Sequence, residues 1–169
     1  MEISLTTGCI CHNLTIDGQS ISKVDYHEIL ECIQKIINNI TDKDTLISEF
    51  IEFIFTAGDY DEGTEDYYYK MDDYEVRSVT ESNIPDPKNC DYDFTKTYHY
   101  REYLTINGED LENLPIDKIR SYLINLITDS TYMRTDYLYQ LVEDLGVAKF
   151  VSHCEECGDN VYTYTIKID

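Results

Sequence analysis

Residues 14–42 read LTIDGQSISKVDYHEILECIQKIINNITD and residues 104–129 read LTINGEDLENLPIDKIRSYLINLITD. Both open on LTI(D/N)G, at an offset of 90, and both close on ITD after a three-residue deletion in the second. A second helical pattern follows each: DTLISEFIEFIFTAG in the first, STYMRTDYLYQLVEDLG in the second. Each ends on a glycine suited to a helix C-terminus. Self-similarity of this length predicts two copies of one unit.

Each copy opens on a β-rich stretch, ISLTTGCICHNLTIDG or YDFTKTYHYREYLTING, in which β-branched and aromatic residues are dense and the D/N-G pair supplies a turn. In VDYHEILECIQKIINNI, Asp25 caps a helix and Glu28 completes a capping box, while Ile29, Ile33, Ile36, Ile37 and Ile40 recur at helical spacing. The counterpart carries Pro115 near its first turn, then Ile116, Ile119, Leu123 and Leu126. Past the second helix, the alternation from Val161 to Ile166 suits a half-buried strand, with Gly63 aligned on Gly158 and YYYKM on YTYTI. The reading is α+β: two copies of a β-α-α-β unit, residues 1–84 and 85–169, with helices packed on antiparallel sheet in two domains or one. Residues 81–89, holding Pro85 and Pro87, form the connector. The first strand is expected beside the last.

Composition narrows the function. Apolar residues make up 42% of the chain, with 16 tyrosines and 5 phenylalanines, so a core is expected despite 34 acids against 13 bases, a net charge of −21. Charge of that size repels itself and disfavours direct binding to nucleic acid or an anionic membrane. A cationic partner is favoured. No signal peptide or apolar run of spanning length occurs, which predicts a cytoplasmic protein and reduced cysteines.

The excess is densest in GDYDEGTEDYYYKMDDYEV, residues 58–76, with eight carboxylates and five tyrosines. Tyrosine is enriched where proteins bind. This stretch predicts a partner-binding surface made of Asp59, Tyr60, Asp61, Glu62, Glu65, Asp66, Tyr67, Tyr69, Asp72, Asp73 and Glu75. The alternative is a solvated charged face.

Cys154-Glu-Glu-Cys157-Gly158 has zinc-knuckle spacing and supplies half a tetrahedral site; Cys9 and Cys11 supply the other half if the first and last strands pair, with His12 or His153 as substitutes. Such a zinc would be structural. A thioredoxin-like role is disfavoured, because Glu155 and Glu156 raise a thiol pKa. No H-E-x-x-H, phosphate-cradling loop or nucleophile elbow occurs, and Gly63 stands one place short of the calcium-loop position counted from Asp59, so no enzyme is expected.

The chain, as a small, acidic, two-unit protein rich in Ile, Asn, Asp and Tyr, resembles the inhibitors that phages and mobile elements of low-GC bacteria direct against host nucleases, including CRISPR effectors. The resemblance implies a mimic of nucleic-acid phosphates, acting in a bacterial cytoplasm on the basic groove of a nuclease or other nucleic-acid-binding protein. Two other readings stand beside it: an immunity protein against a basic toxin, and a zinc-stabilised structural or regulatory module.

Overall fold

An Asp-Gly or Asn-Gly pair takes positive φ cheaply at both positions of a two-residue hairpin turn. Asp17 and Gly18 sit at φ 49° and 80°, Asn107 and Gly108 at 49° and 85°. In each turn the Asp or Asn also ties down a neighbouring strand. The Asp17 N–H donates to Glu2 O at 2.8 Å while Asp17 Oδ1 accepts from Glu2 N–H at 2.7 Å. Asn107 and Glu75 repeat this exchange, both bonds at 3.0 Å.

The computed structural model describes residues 1–8, 11–86, 88, 92–130 and 133–169, with Cys11 described by its backbone alone. Among the described residues the fold is α+β, with two antiparallel sheets and four α-helices. The first half of the chain runs β1 (Glu2–Gly8), β2 (Cys11–Ile16), β3 (Gln19–Ser20), α1 (Tyr26–Asn38), α2 (Lys43–Ala57), β4 (Asp59–Asp61) and β5 (Asp66–Lys70). The second runs β6 (Glu75–Ser82), β7 (Tyr100–Ile106), β8 (Glu109–Asp110), α3 (Ile116–Asp129), α4 (Arg134–Leu145), β9 (Val147–His153) and β10 (Asn160–Lys167). A short 3-10 turn precedes α1 and α3, at Ile21–Lys23 and Leu111–Asn113. Each half is therefore β-β-β-α-α-β-β, richer in strands than the β-α-α-β pattern expected.

Strands pair across the halves. The first sheet has the order β3-β2-β1-β10-β9 and the second β4-β5-β6-β7-β8. Strand β1 meets β10 from Glu2↔Lys167 to Thr7↔Tyr162, so the expected first–last pairing is present. The chain divides into two compact units: residues 1–46 with 120–169, which hold the first sheet, and residues 47–119, which hold the second. The compact units are thus a different division from the repeats in the sequence.

Three readings of the sequence need correction. The strand opening the second half is Glu75–Ser82, which pairs with β7 from Val76↔Ile106 to Ser82↔Tyr100; no strand falls in the described part of residues 92–99. Val76 and Ser78, the buried positions of that strand, are too few to stand out among the surrounding acids. The connector accordingly begins after Ser82 rather than at Glu81, and among its described residues no strand resumes before Tyr100; residues 87 and 89–91 lie outside the described residues. Finally, the pairings Lys70↔Glu75 and Lys167↔Glu2 put Tyr67 at the ladder position that Tyr164 holds in the other sheet, two places from the alignment on Gly63 and Gly158. The slip arises because the β9–β10 hairpin is longer than the β4–β5 hairpin.

In the first unit Ile3, Leu5 and Leu14 are fully buried, as are Ile33, Ile37, Leu138, Leu141 and Val142 of α1 and α4. Burying one such side chain contributes about 1.5–3 kcal/mol. Asp25 caps α1 as expected, its carboxylate accepting from His27 N–H at 2.7 Å. Arg120 closes the other end by donating to Ile40 O at 2.6 Å and Ile37 O at 3.4 Å, favourable against the negative pole of the helix. In the second unit Val76, Leu104 and Ile106 form the buried face of the sheet, and Phe53 and Phe55 of α2 meet Tyr69 and Tyr67 with ring centroids 6.1 and 5.0 Å apart.

Candidate acidic face and cysteine turn

Directly opposed residues in an antiparallel sheet share a face, and neighbours along a strand alternate. The pairings place Asp59, Tyr68, Arg77, Thr105 and Asp110 in one row across all five strands of the second sheet. Because Val76, Ser78, Leu104 and Ile106 are buried on the other face, this row lies on the outer one. Asp61 and Asp66 oppose each other beside it, as do Lys70 and Glu75, and Glu81 and Arg101.

Two arginines organise the outer carboxylates. Arg77 Nε lies 2.9 Å from Glu75, and its Nη1 lies 3.3 Å from Asp61 and 3.9 Å from Asp66. Its guanidinium sits 5.0 Å from the centre of the Tyr68 ring. Arg101 reaches Asp110 at 2.6 Å and Glu112 at 3.4 Å, and lies 4.2 Å from the centre of the Tyr103 ring. The Tyr103 hydroxyl donates to Glu81 at 2.8 Å. Aromatic faces and carboxylates together fix a guanidinium better than either alone.

Asp61 holds the hairpin tip as well. It accepts from Gly63 N–H at 3.0 Å, and that bond, with contributions from Thr64 and Arg77, keeps its carboxyl below the usual carboxylate range. Glu62 and Glu65 stand exposed on this turn, and Asp72 and Asp73 stand exposed on the β5–β6 turn at the other end of β5. The predicted acids therefore fall into a tip, a strand row and a second tip. Five residues of strand separate the tips, about 17 Å.

The tyrosines divide differently. Tyr67 and Tyr69 turn toward Phe55 and Phe53, and Tyr60 lies 5.1 Å from Tyr67 with half its surface exposed. A second aromatic group, unread in the sequence, stands on the stretch between β6 and β7: Tyr92 lies 4.9 Å from Phe94 and 4.6 Å from Tyr98, and Phe94 is 90% exposed. Arg77, Arg101, Glu109, Asp110 and Glu112 were also missed. Glu109 and Asp110 had a signal, since they follow the N-G turn where the first half has Gln19 and Ser20. By sequence, residues 47–119 hold 19 acids and 6 bases, a net charge of −13.

The outer face of the first sheet is different in kind. At ladder positions matching Arg77 and Tyr68 it carries Ser4 and Thr165, and Thr6 bonds Thr163 through their hydroxyls at 3.1 Å. The charge on its strands is Glu2 against Lys149 and Lys167.

The cysteine turn lies at one end of this sheet, between β9 and β10. Cys154 N–H donates to Asp159 O at 2.8 Å and Gly158 N–H to Cys154 O at 2.9 Å, while Gly158 sits at φ 78°. Gly8, which ends β1, has Asn160 O and Val161 Cα within 3 Å of where a Cβ would stand, so the end of β1 lies against the start of β10. The backbone of Cys11 pairs with Gly8. Cys9 and the Cys11 side chain lie outside the described residues, as does Cys90. Among the described residues no three His, Cys, Asp or Glu side chains form a group able to hold a metal ion. His12 stacks on Tyr139 at 4.5 Å, and His153 Nδ1 meets Asn160 Oδ1 at 2.7 Å. Cys32 is buried in α1, and burial pushes its thiol up to about 12, so it stays protonated and is core material.

Among the described residues no helix is long and apolar enough to cross a membrane. Compared with protein families, curated proteins and solved structures, the chain shows no match to any of them.

Proposed function

We propose that the chain is a binding protein whose second sheet imitates nucleic-acid phosphates and occupies the basic groove of a nuclease or another nucleic-acid-binding protein, in the manner of anti-CRISPR inhibitors. The observation that carries this reading is the outer face described above, where carboxylates are held in rows by strand register and by Arg77 and Arg101. Eight acids and two bases lie between Asp59 and Arg77, four of the acids on strands and four on the turns at either end of about 17 Å of strand. Duplex DNA presents on the order of ten phosphate charges over the same length. Fixed anions lose little entropy on docking, and a field of this sign steers a cationic partner. Aromatic contact passes to the exposed rings of Tyr92 and Phe94, which take the place of stacked bases.

The test is displacement. A panel of purified nucleases, CRISPR effectors among them, is loaded with labelled DNA and titrated with the chain, and release is expected to weaken steeply with salt. Replacing Asp59, Asp61, Glu62, Glu65 and Asp66 with Asn or Gln is expected to cost at least about 100-fold in affinity. Phe94→Ala weakens release without changing its salt slope. Equal displacement by the five-fold variant removes the proposed face.

Two further features belong to this reading. We infer that the chain contains two copies of one unit that exchange their C-terminal hairpins, each sheet taking three strands from one copy and two from the other; the matched turn bonds of Asp17 and Asn107 support this. A zinc site at the Cys154–Cys157 turn is supported by the placement of Gly8 against the start of β10, with Cys9 next to Gly8 in sequence and the backbone of Cys11 paired with Gly8 from the neighbouring strand. Such a metal would be closed and structural. Metal analysis of protein purified without chelator is expected to give one zinc per chain; none removes it.

A further inference from the structure

Phe94 shows more of itself to solvent than any other large apolar side chain among the described residues, and it stands on a braced turn. Asp93 accepts from Thr95 N–H at 2.9 Å and from the Thr95 hydroxyl at 2.7 Å, while its own N–H donates to the Tyr98 hydroxyl at 2.6 Å. Asn83 clasps the far side, donating from Nδ2 to Thr97 O at 2.8 Å and accepting at Oδ1 from His99 N–H at 2.7 Å. Tyr92, itself 54% exposed, touches both Phe94 and Tyr98. Single exposed apolar residues are ordinary, but touching rings held in place by their own turn are a prepared contact.

Strand register brings these rings to the acids. Tyr68 stands opposite Arg77 and the two strands are antiparallel, so the β4–β5 turn, with Glu62 and Glu65, lies toward the Ser82 end of β6. Ser82 pairs with Tyr100, and the connector bearing the rings leaves the sheet there. Continued past Asp66, the register sets Glu65 level with Thr80, two residues or about 7 Å along the strand from that end. Charge alone suits a duplex groove and a single-strand groove equally, since both follow phosphates. The rings separate them. A duplex keeps its bases stacked inside and shows a protein phosphates and base edges, which are read mainly by hydrogen bonds. A single strand offers whole base faces, and the proteins that hold it set aromatic side chains against them. Phe94 has no hydrogen-bonding edge, but it has a face. Granted that the acids of the second sheet stand for phosphates, as proposed above, we propose that the groove they enter is one that holds single-stranded nucleic acid, with Phe94 and Tyr92 stacking on the partner's aromatic platforms.

The displacement panel, divided in two, is the test. One half holds single-strand-specific nucleases and single-strand-binding proteins loaded with a labelled single-stranded oligonucleotide; the other holds duplex-specific nucleases loaded with a labelled hairpin duplex. Release is expected from the first half alone. Phe94→Leu, which keeps the bulk and removes the ring, is expected to weaken that release about tenfold, while Phe94→Tyr keeps it. Neither substitution changes the salt slope, which belongs to the acids, and neither changes the circular dichroism of the chain, because the Phe94 side chain lies 90% exposed. Release from the duplex half alone, or from both halves alike, overturns the single-strand assignment and leaves the phosphate mimicry standing. Full release by Phe94→Leu does the same. Release from neither half removes the mimicry, and the single-strand groove with it.

Discussion

The two sheets share one strand plan and differ in what they show to solvent. Inside, the ladder positions agree: Leu14 matches Leu104, Ile16 matches Ile106, and Ile3 matches Val76. Outside, Ser4 matches Arg77 and Val147 matches Asp59. Strand-borne charge is one acid against two bases in the first sheet and eight acids against three bases in the second. Apolar pattern and turn chemistry sustain the plan on one face, which leaves the other free to become a hydroxyl surface or an electronegative one. The contrast also explains the arginines. Eight acids on five strands need internal counter-charge, and Arg77 and Arg101 supply it where the first sheet needs none.

The core tests the similarity most severely. Leu14→Ala and Leu104→Ala, both at fully buried positions, are each expected to cost about 2–5 kcal/mol in urea unfolding. A large inequality between them would show that the two sheets are packed to different standards. Next come the glycines that end α2 and α4. A Cβ on Gly58 would stand 2.5 Å from Ile54 O and 2.8 Å from Tyr68 O, and one on Gly146 would crowd Val142 O and Thr165 N. Gly58→Ala and Gly146→Ala are expected to cost about 1–3 kcal/mol each. The outer faces should then diverge. Arg77→Leu is expected to cost about 0.5–1 kcal/mol at low salt and less at high salt, whereas Ser4→Ala is nearly silent.

Asp61 adds a pH signature to the same variant. Its folded-state carboxyl lies below its ordinary value of 3.8, so the stability it contributes is complete above about pH 4 and is lost as pH falls through the lowered value. Arg77→Leu removes one of the groups lowering that value, and should flatten the acid limb of the stability profile without abolishing it, because Gly63 N–H remains. An unchanged acid limb would separate Asp61 from Arg77.

Local features were legible in the sequence. The cap at Asp25, the two D/N-G turns and the apolar stripe of α1 each depend on residues a few places apart, and each is present where the sequence puts it. Strand partnership was harder, since alternation marks a strand without saying what lies beside it. Strand β4, of three residues, is too short to alternate. The run Tyr67-Tyr68-Tyr69 reads as one aromatic block, yet the pleat sends Tyr68 to Arg77 and its neighbours to the phenylalanines of α2. The acids between Asp59 and Glu75 were legible as a concentration of charge, while the arginines that order them were not, because Arg101 is 24 places from Arg77 and reaches the face through a different strand.

The pairing of Glu2 with Lys167 has a consequence for how the molecule comes into being. On a ribosome the hairpin of β1 and β2 is made well before β10, the other neighbour of β1. Until β10 emerges, one flank of β1 stays open to any passing extended segment. Closure of that flank waits on a contact between segments far apart in sequence, the kind of contact that slows folding most.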